Sequence, residues 1–486
     1  MIRATSIQPL GWLLALSLAI IFPLSSTVAD TVPRFSKATL EYAETIRLDA
    51  PENNHAMRIL ESLTTEVGPR LAGGPNDARA VAWAKAKFTG LGFDEVWLEP
   101  VTFPTWQRGI ETAEVLSPYP QPLSITALGN SIATPAEGLS ANIIEFATLA
   151  DLEASTNAKV AGKIVFINKA MSAHIDGADY GPTVGARSRG ASAAAKLGAV
   201  GLLIRSVGTD HNRLAHTGYN GYEDGVEKIP AAALSVPDAI LLSNMLKRGK
   251  PVSVKMNLGS GPGPEYTSYN VIGQINAKKK TNKYVLIGGH LDSWDLGTGA
   301  IDDGAGCAVT MAAAEYIARK KLPIMHNIRV VLFANEEQGL FGGNQYRDAH
   351  KADVKNIIAA AESDFGQGPV YALNSRVKPE ALPLVQQMQK AMSGLNIKAG
   401  HNNGNGGPDL IALGAEGVAM FGLALDGTDY FDLHHTANDT FDKVEAERLN
   451  QTATSFAMFA FLAANAPSSF GSGEPYLVEK AKQATH

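Results

Sequence analysis

Tyr284-Val285-Leu286-Ile287-Gly288-Gly289-His290-Leu291-Asp292 is an apolar run of strand length that ends directly in a histidine and an aspartate. A short, continuous apolar run reads as a strand buried on both faces, the kind found in parallel sheets covered by helices. The same grammar recurs on either side. Residues 270–276, 328–333, 357–361 and 418–423 read as further strands, and 304–320, 339–350, 379–392 and 444–464 as helices between and after them. This alternation predicts an α/β fold, a mostly parallel mixed sheet with helices on both faces.

In such sheets ligands gather at the carboxyl ends of the strands, so the polar residues just past each apolar run are the candidate site. They are His290 and Asp292, then Asp302 and Asp303 in Ile301-Asp302-Asp303-Gly304, then Glu336 and Glu337 after Asn335, then Glu362 and Asp364, and finally His434-His435-Thr436. Each piece has a plain reading of its own: a hydrogen-bonded loop pair, a turn before glycine, a helix start favoured by the dipole, a surface pair. Together they would crowd negative charge into one crevice, and burying it without cations costs several kcal/mol per ion. A pair of divalent cations relieves that cost. Imidazole and carboxylate donors without thiolate suit zinc in a hydrolytic site, with cobalt or manganese compatible, and two metals about 3.5–4 Å apart need a bridging carboxylate.

Further out, 33–91 carries helical spacing at 56–67 and 78–91, separated by the turn-rich Gly68-Pro69-Arg70-Leu71-Ala72-Gly73-Gly74-Pro75, and a strand-like run follows at 95–103. From 119 to 264 the composition shifts to short β-rich pieces (141–146, 163–168, 200–205) around an Ala-rich helix at 188–197, which predicts an inserted β-rich domain. Gly259-Ser260-Gly261-Pro262-Gly263-Pro264 reads as its exit linker. The main domain is then 30–118 joined to 265–486. Residues 1–29 read as a signal peptide: Arg3, an apolar run at 10–23, and Thr27-Val28-Ala29 before the cleavage point. That run falls short of the ~20 residues of a spanning helix. The expectation is an exported chain, periplasmic or extracellular, with no membrane association after cleavage. With one cysteine there is no intramolecular disulfide, and Cys307 reads as a small core residue. A formal net charge of −6 over 486 residues speaks against a nucleic-acid partner and leaves a small or peptidic one.

The ordered set His290-Leu291-Asp292-Ser293-Trp294-Asp295, Gly299-Ala300-Ile301-Asp302-Asp303-Gly304-Ala305-Gly306, Asn335-Glu336-Glu337-Gln338-Gly339, Glu362-Ser363-Asp364 and His435-Thr436 resembles the M28 family of zinc aminopeptidases. The resemblance implies two Zn2+ ions per chain. Asp302 would bridge them, His290 and Asp364 would hold one, and Glu337 and His435 the other. Glu336 would be the general base and Asp292 the carboxylate that fixes the tautomer of His290. His435 is preferred to His434 because the family's ligand precedes Thr or Ser, which leaves His434 beside the ligands or in the core. The implied substrate is a dipeptide or a short peptide with a free N-terminus, the insert resembles a protease-associated domain capping the crevice, and a homodimer is compatible. Asp409 stands where the family places an acidic residue near the substrate, but reads slightly better as a helix N-cap. Two other readings of this fold, a non-catalytic peptide-binding or receptor-like module and a single-zinc glutaminyl cyclase, are disfavoured by the complete ligand set.

Overall fold

The computed structural model describes residues 33–471, so the expected signal peptide lies outside the described residues. Two eight-stranded sheets organise them. The first runs, in spatial order, Glu95–Gln107, Gly261–Ile275, Asn327–Phe333, Tyr284–His290, Ile357–Glu362, Met420–Leu425, Val370–Arg376 and Lys398–Ala399. Its centre is parallel: Tyr284–His290 lies between Asn327–Phe333 and Ile357–Glu362, and the latter pairs parallel with Met420–Leu425. Antiparallel pairings occupy the outer strands. Helices Lys37–Asn53, Ala56–Glu66, Ala305–Arg319 and Ala446–Ala464 bury their apolar residues in one core against this sheet. On its other face Tyr346, Leu410 and Leu413 close a smaller core over Leu286, Val331 and Met420. Both faces are covered, which is why the central strands read as continuous apolar runs.

The second sheet runs Gln121–Leu123, Glu111–Ser117, Ser253–Leu258, Leu139–Phe146, Ile164–Ile167, Gly201–Arg205, Ala231–Leu234 and Ile125–Ala127. It includes Glu111–Ser117, ahead of residue 119, and its four strands from Leu139–Phe146 to Ala231–Leu234 are parallel, with helices Tyr180–Ser188, Gly190–Lys196 and Val236–Leu246 beside them. Its two cores are shared with the first region. One takes in Ile301, Tyr430 and Phe431, the other Leu71 and Trp294.

Two sequence expectations change. The glycine- and proline-rich run expected as a linker is strand from Gly261 onward, within Gly261–Ile275. Its first residues pair only with Glu95–Gln107, leaving the other edge free, so Pro262 and Pro264 sacrifice no ladder bond there. Strand Val370–Arg376, paired antiparallel, was not anticipated. No helix among the described residues is long and apolar enough to cross a membrane.

Candidate active site

Strand register assembles the site. His290 pairs with Phe333, four residues before Glu337, and Gly288 pairs with Glu362, two residues before Asp364, so three parallel strands deliver their charged residues to one edge. Asp302 enters from Ala300–Gly304, where the Asp302–Asp303 peptide is cis. His435, with a left-handed φ of 63°, comes from the turn after Tyr430–Asp432.

Asp302 is the centre. Its Oδ1 lies 3.3 Å from His290 Nε2, and its Oδ2 lies 3.1 Å from His435 Nε2. His290 Nε2 also faces Asp364 Oδ1 at 3.6 Å, and His435 Nε2 faces Glu337 Oε2 at 3.0 Å. Two donor groups therefore share Asp302: His290, Asp302 and Asp364, and Asp302, His434 and His435, each with ligand atoms within 4.8 Å of one another. His434 is the weaker member of the second group. It stands 3.7 Å from Asp302 and lies stacked on His435, ring centroids 3.5 Å apart, whereas Glu337 is in direct contact with His435. The structure thus brings all five sequence-selected ligands together, with Glu336 and Asp292 beside them.

These donors suit divalent cations. Glu337 Oε1 is buried with no hydrogen-bond partner, an arrangement that costs free energy unless something else satisfies it. Burial, reinforced by neighbouring acids, pushes the carboxyls of Asp303, Glu336, Glu337 and Glu362 upward, and Asp409 up to about 8. Asp302 goes the other way: despite burial, hydrogen bonds from His290 and His435 hold it well below the usual range. One shared carboxylate that stays ionised amid carboxyls that resist ionisation is a site short of positive charge.

The supporting residues differ in part from expectation. The Asp292 carboxylate accepts from the backbone amides of Glu336 (3.0 Å) and Glu337 (3.4 Å), fixing the turn that aims both. Its Oδ1 is 3.7 Å from His290 Nδ1, which instead donates to the Asp292 carbonyl at 3.0 Å. Asp409 does not cap the helix that follows it, Ile411–Ala415. Its Oδ1 accepts from Gly343, in the first turn of Phe341–His350, and its own amide donates to Glu362 Oε2. Sequence reading passed over Arg70, 1% exposed, whose guanidinium donates to the carbonyls of Leu291, Thr298 and Gly299 and so ties down the loop between His290 and Asp302. Asp439, missed as well, accepts from the amides of Ile301 and Asp302.

The second sheet reaches the centre too. The Thr217 amide donates to the His435 carbonyl (3.0 Å), and His435 Nδ1 donates to the Thr217 carbonyl (3.2 Å), leaving Nε2 for the acidic side. His216 Nδ1 donates to the His434 carbonyl at 2.7 Å, and its Nε2 is held by Asp210 at 2.8 Å. No motif marks these residues. Their sequence separation from His435 hides the contact.

Residues 270–460 match the model of peptidase family M28. The chain is 35% identical to carboxypeptidase Q of Xenopus laevis over 85% of its own length and 86% of that protein. Among solved structures it is similar to a peptidase M28 precursor from Shewanella amazonensis SB2B, at 50% identity and TM-score 0.88 over 90% of this chain and 99% of that one. It also shares its fold with an aminopeptidase from Aneurinibacillus sp. strain AM-1, at 23% identity and TM-score 0.58 over 90% of this chain and 97% of that one. Shared Asp302, its flanking imidazoles and carboxylates, and relatives matched along nearly the whole described chain lead to one assignment: the chain belongs to peptidase family M28 and is a peptide hydrolase.

Proposed function

We propose that this peptidase is an exported two-zinc enzyme that hydrolyses dipeptides or removes N-terminal residues from short peptides. The observation that carries the reading is the sharing of Asp302 between two donor groups. In this reading Asp302 would be shared by the two ions, His290 and Asp364 would help to hold one, and Glu337 and His435 the other. Zinc at these positions would polarise a peptide carbonyl and acidify a water.

The protein's own residues supply the rest. Glu336 is beside the donors, whereas Glu337 touches the His435 ring, and burial together with Asp364, Glu337 and Asp409 raises the Glu336 pKa well above the usual range against the pull of His290. A carboxylate poised in this way accepts a proton from the attacking water and returns it to the leaving amine. Asp292 positions Glu336 and Glu337 through their amides, and Thr217 sets the tautomer of His435. The segment at 119–264, read as an inserted domain beside the main domain of 30–118 and 265–486, would cap the crevice and limit peptide length. Cleavage after Ala29 would release the mature chain.

Elemental analysis of purified protein tests the core of this reading, with two zinc ions per chain as the expected result. Full activity with one ion would favour the cyclase-like alternative. Metal without peptide turnover would favour a binding module.

A further inference from the structure

Trp294 aims its indole N–H at one of the candidate metal donors. It is 3% exposed, and its Nε1 donates to Glu337 Oε2 at 2.5 Å. A buried indole needs an acceptor, and a backbone carbonyl is enough. Trp106, which meets Trp294 edge to face with ring centroids 6.2 Å apart, gives its own N–H to the Ser131 carbonyl. Trp294 takes a carboxylate of the site instead. The same Glu337 oxygen faces His435 Nε2 at 3.0 Å, while Oε1 is buried with no hydrogen-bond partner. An indole donates and never accepts, so it steadies an oxygen without competing for a cation. With Oε2 held from two sides, the orientation of Oε1 is fixed as well.

The ring that carries this N–H is gripped from the second sheet. It lies directly on the backbone of Gly129, where an added Cβ would fall 2.1 Å from Trp294 Cη2. It also shares a buried apolar cluster with Ala127 and Leu234. On the other side its own backbone is fastened: the Trp294 carbonyl accepts from Ser293 Oγ at 3.0 Å, and that oxygen accepts from the Arg70 amide at 3.2 Å. One short loop thus holds Glu337 twice, Asp292 at its amide and Trp294 at its carboxylate. The indoles of Trp83, Trp97 and Trp106 donate elsewhere, so His290 and Asp364 have no equivalent support.

Resting on the two-zinc reading above, we propose that Trp294 is a positioning residue that holds Glu337 for the ion it would share with His435, and so sets the affinity of that ion alone. The two ions of one chain then differ in how readily they leave. Packing of the second sheet against the Trp294 ring governs the difference.

The test has two readouts on the full chain. In the first, a chelating dye strips zinc from the loaded protein. Trp294→Phe keeps a ring and removes the donor, so one ion should leave at about 10- to 100-fold lower chelator concentration than in wild type, with the other unchanged. Gly129→Ala, which pushes the ring from the second sheet and touches no donor, should reproduce that selective loss. An equal change for both ions, or for neither, overturns the proposal. The second readout needs no metal: in zinc-free protein labelled with 15N-tryptophan, one indole proton should lie downfield of the others. It should move upfield in Glu337→Asp, which keeps the acid but withdraws it by one methylene. If no indole proton responds to Glu337→Asp, the proposal falls, and this result decides the matter where Trp294→Phe does not fold. If wild type holds a single ion, the two-zinc reading fails, while the hold of Trp294 on Glu337 is still judged by that resonance.

Discussion

The first sheet brings its charged side chains to the carboxyl ends of parallel strands, where His290, Glu337 and Asp364 converge on Asp302. The second sheet contributes differently: backbone groups of Thr217 and the ring of His216 grip the His434–His435 turn, and Arg187 lies against the ring of His435. One region supplies donor atoms and the other holds a donor in place. A sheet edge made of parallel strands delivers side chains cheaply, because neighbouring strands end in register. The turn carrying His435 has no such register, and its left-handed φ is maintained by bonds from outside. The second sheet therefore helps to hold the donor centre together through these contacts.

The largest expected effects come from the first sheet's donors. Glu336→Gln should keep both metals and lower kcat by at least about 10²- to 10⁴-fold, the usual contribution of general acid–base catalysis. Glu337→Gln should lose metal instead, because a neutral amide oxygen replaces an anionic donor and the His435 contact is weakened. Zinc content and kcat measured on the two variants separate these outcomes. The reverse pattern would exchange their roles, and full activity in both would reduce the Asn335-Glu336-Glu337 turn to scaffolding.

The next effect belongs to the second sheet. His216→Ala removes the donor to the His434 carbonyl and leaves Asp210 buried without its partner. Residues that orient metal ligands typically cost 10- to 100-fold in metal affinity or activity, so a loss of about that size is expected in zinc affinity, read by competition with a chelating dye. His216→Gln, which can still donate to one acceptor, should recover part of it. Unchanged affinity in both variants would return the second sheet to the role of a lid.

Legibility in the sequence follows the same division. The apolar runs at 284–288, 328–333 and 357–361 announced buried parallel strands, and the ligands follow them within a few residues, so local pattern sufficed. Val370–Arg376 escaped notice because Asn374, Ser375 and Arg376 interrupt its apolar run. Thr217, His216 and Arg187 lie more than two hundred residues from His435, and only the packed cores containing Ile301, Tyr430 and Trp294 bring them near. Arg70 stood in a visible Gly-Pro-Arg turn, but its partners are carbonyls, which carry no residue-type signal.

The smallest effect tests whether the two regions are coupled through side chains as well as backbone. Arg108 follows the first sheet's strand Glu95–Gln107. Its Nε donates to both oxygens of Asp295, in the loop tied down by Arg70, and its Nη2 donates to the Thr217 hydroxyl at 3.2 Å. Its Nη1 donates to Glu111, Thr126 and the Ala127 carbonyl in the second sheet. Lysine preserves the charge but cannot fork toward both regions. Arg108→Lys should therefore retain fold and zinc, lower stability by about 1–3 kcal/mol, the range of a lost charge-assisted hydrogen bond, and reduce zinc affinity by only a few-fold. Thermal unfolding with and without chelator measures both, since a weakened site narrows the gap between metal-loaded and chelated midpoints. If stability falls while that gap is unchanged, Arg108 joins the two sheets without influencing the donors, and the coupling runs through Thr217 and His216 alone.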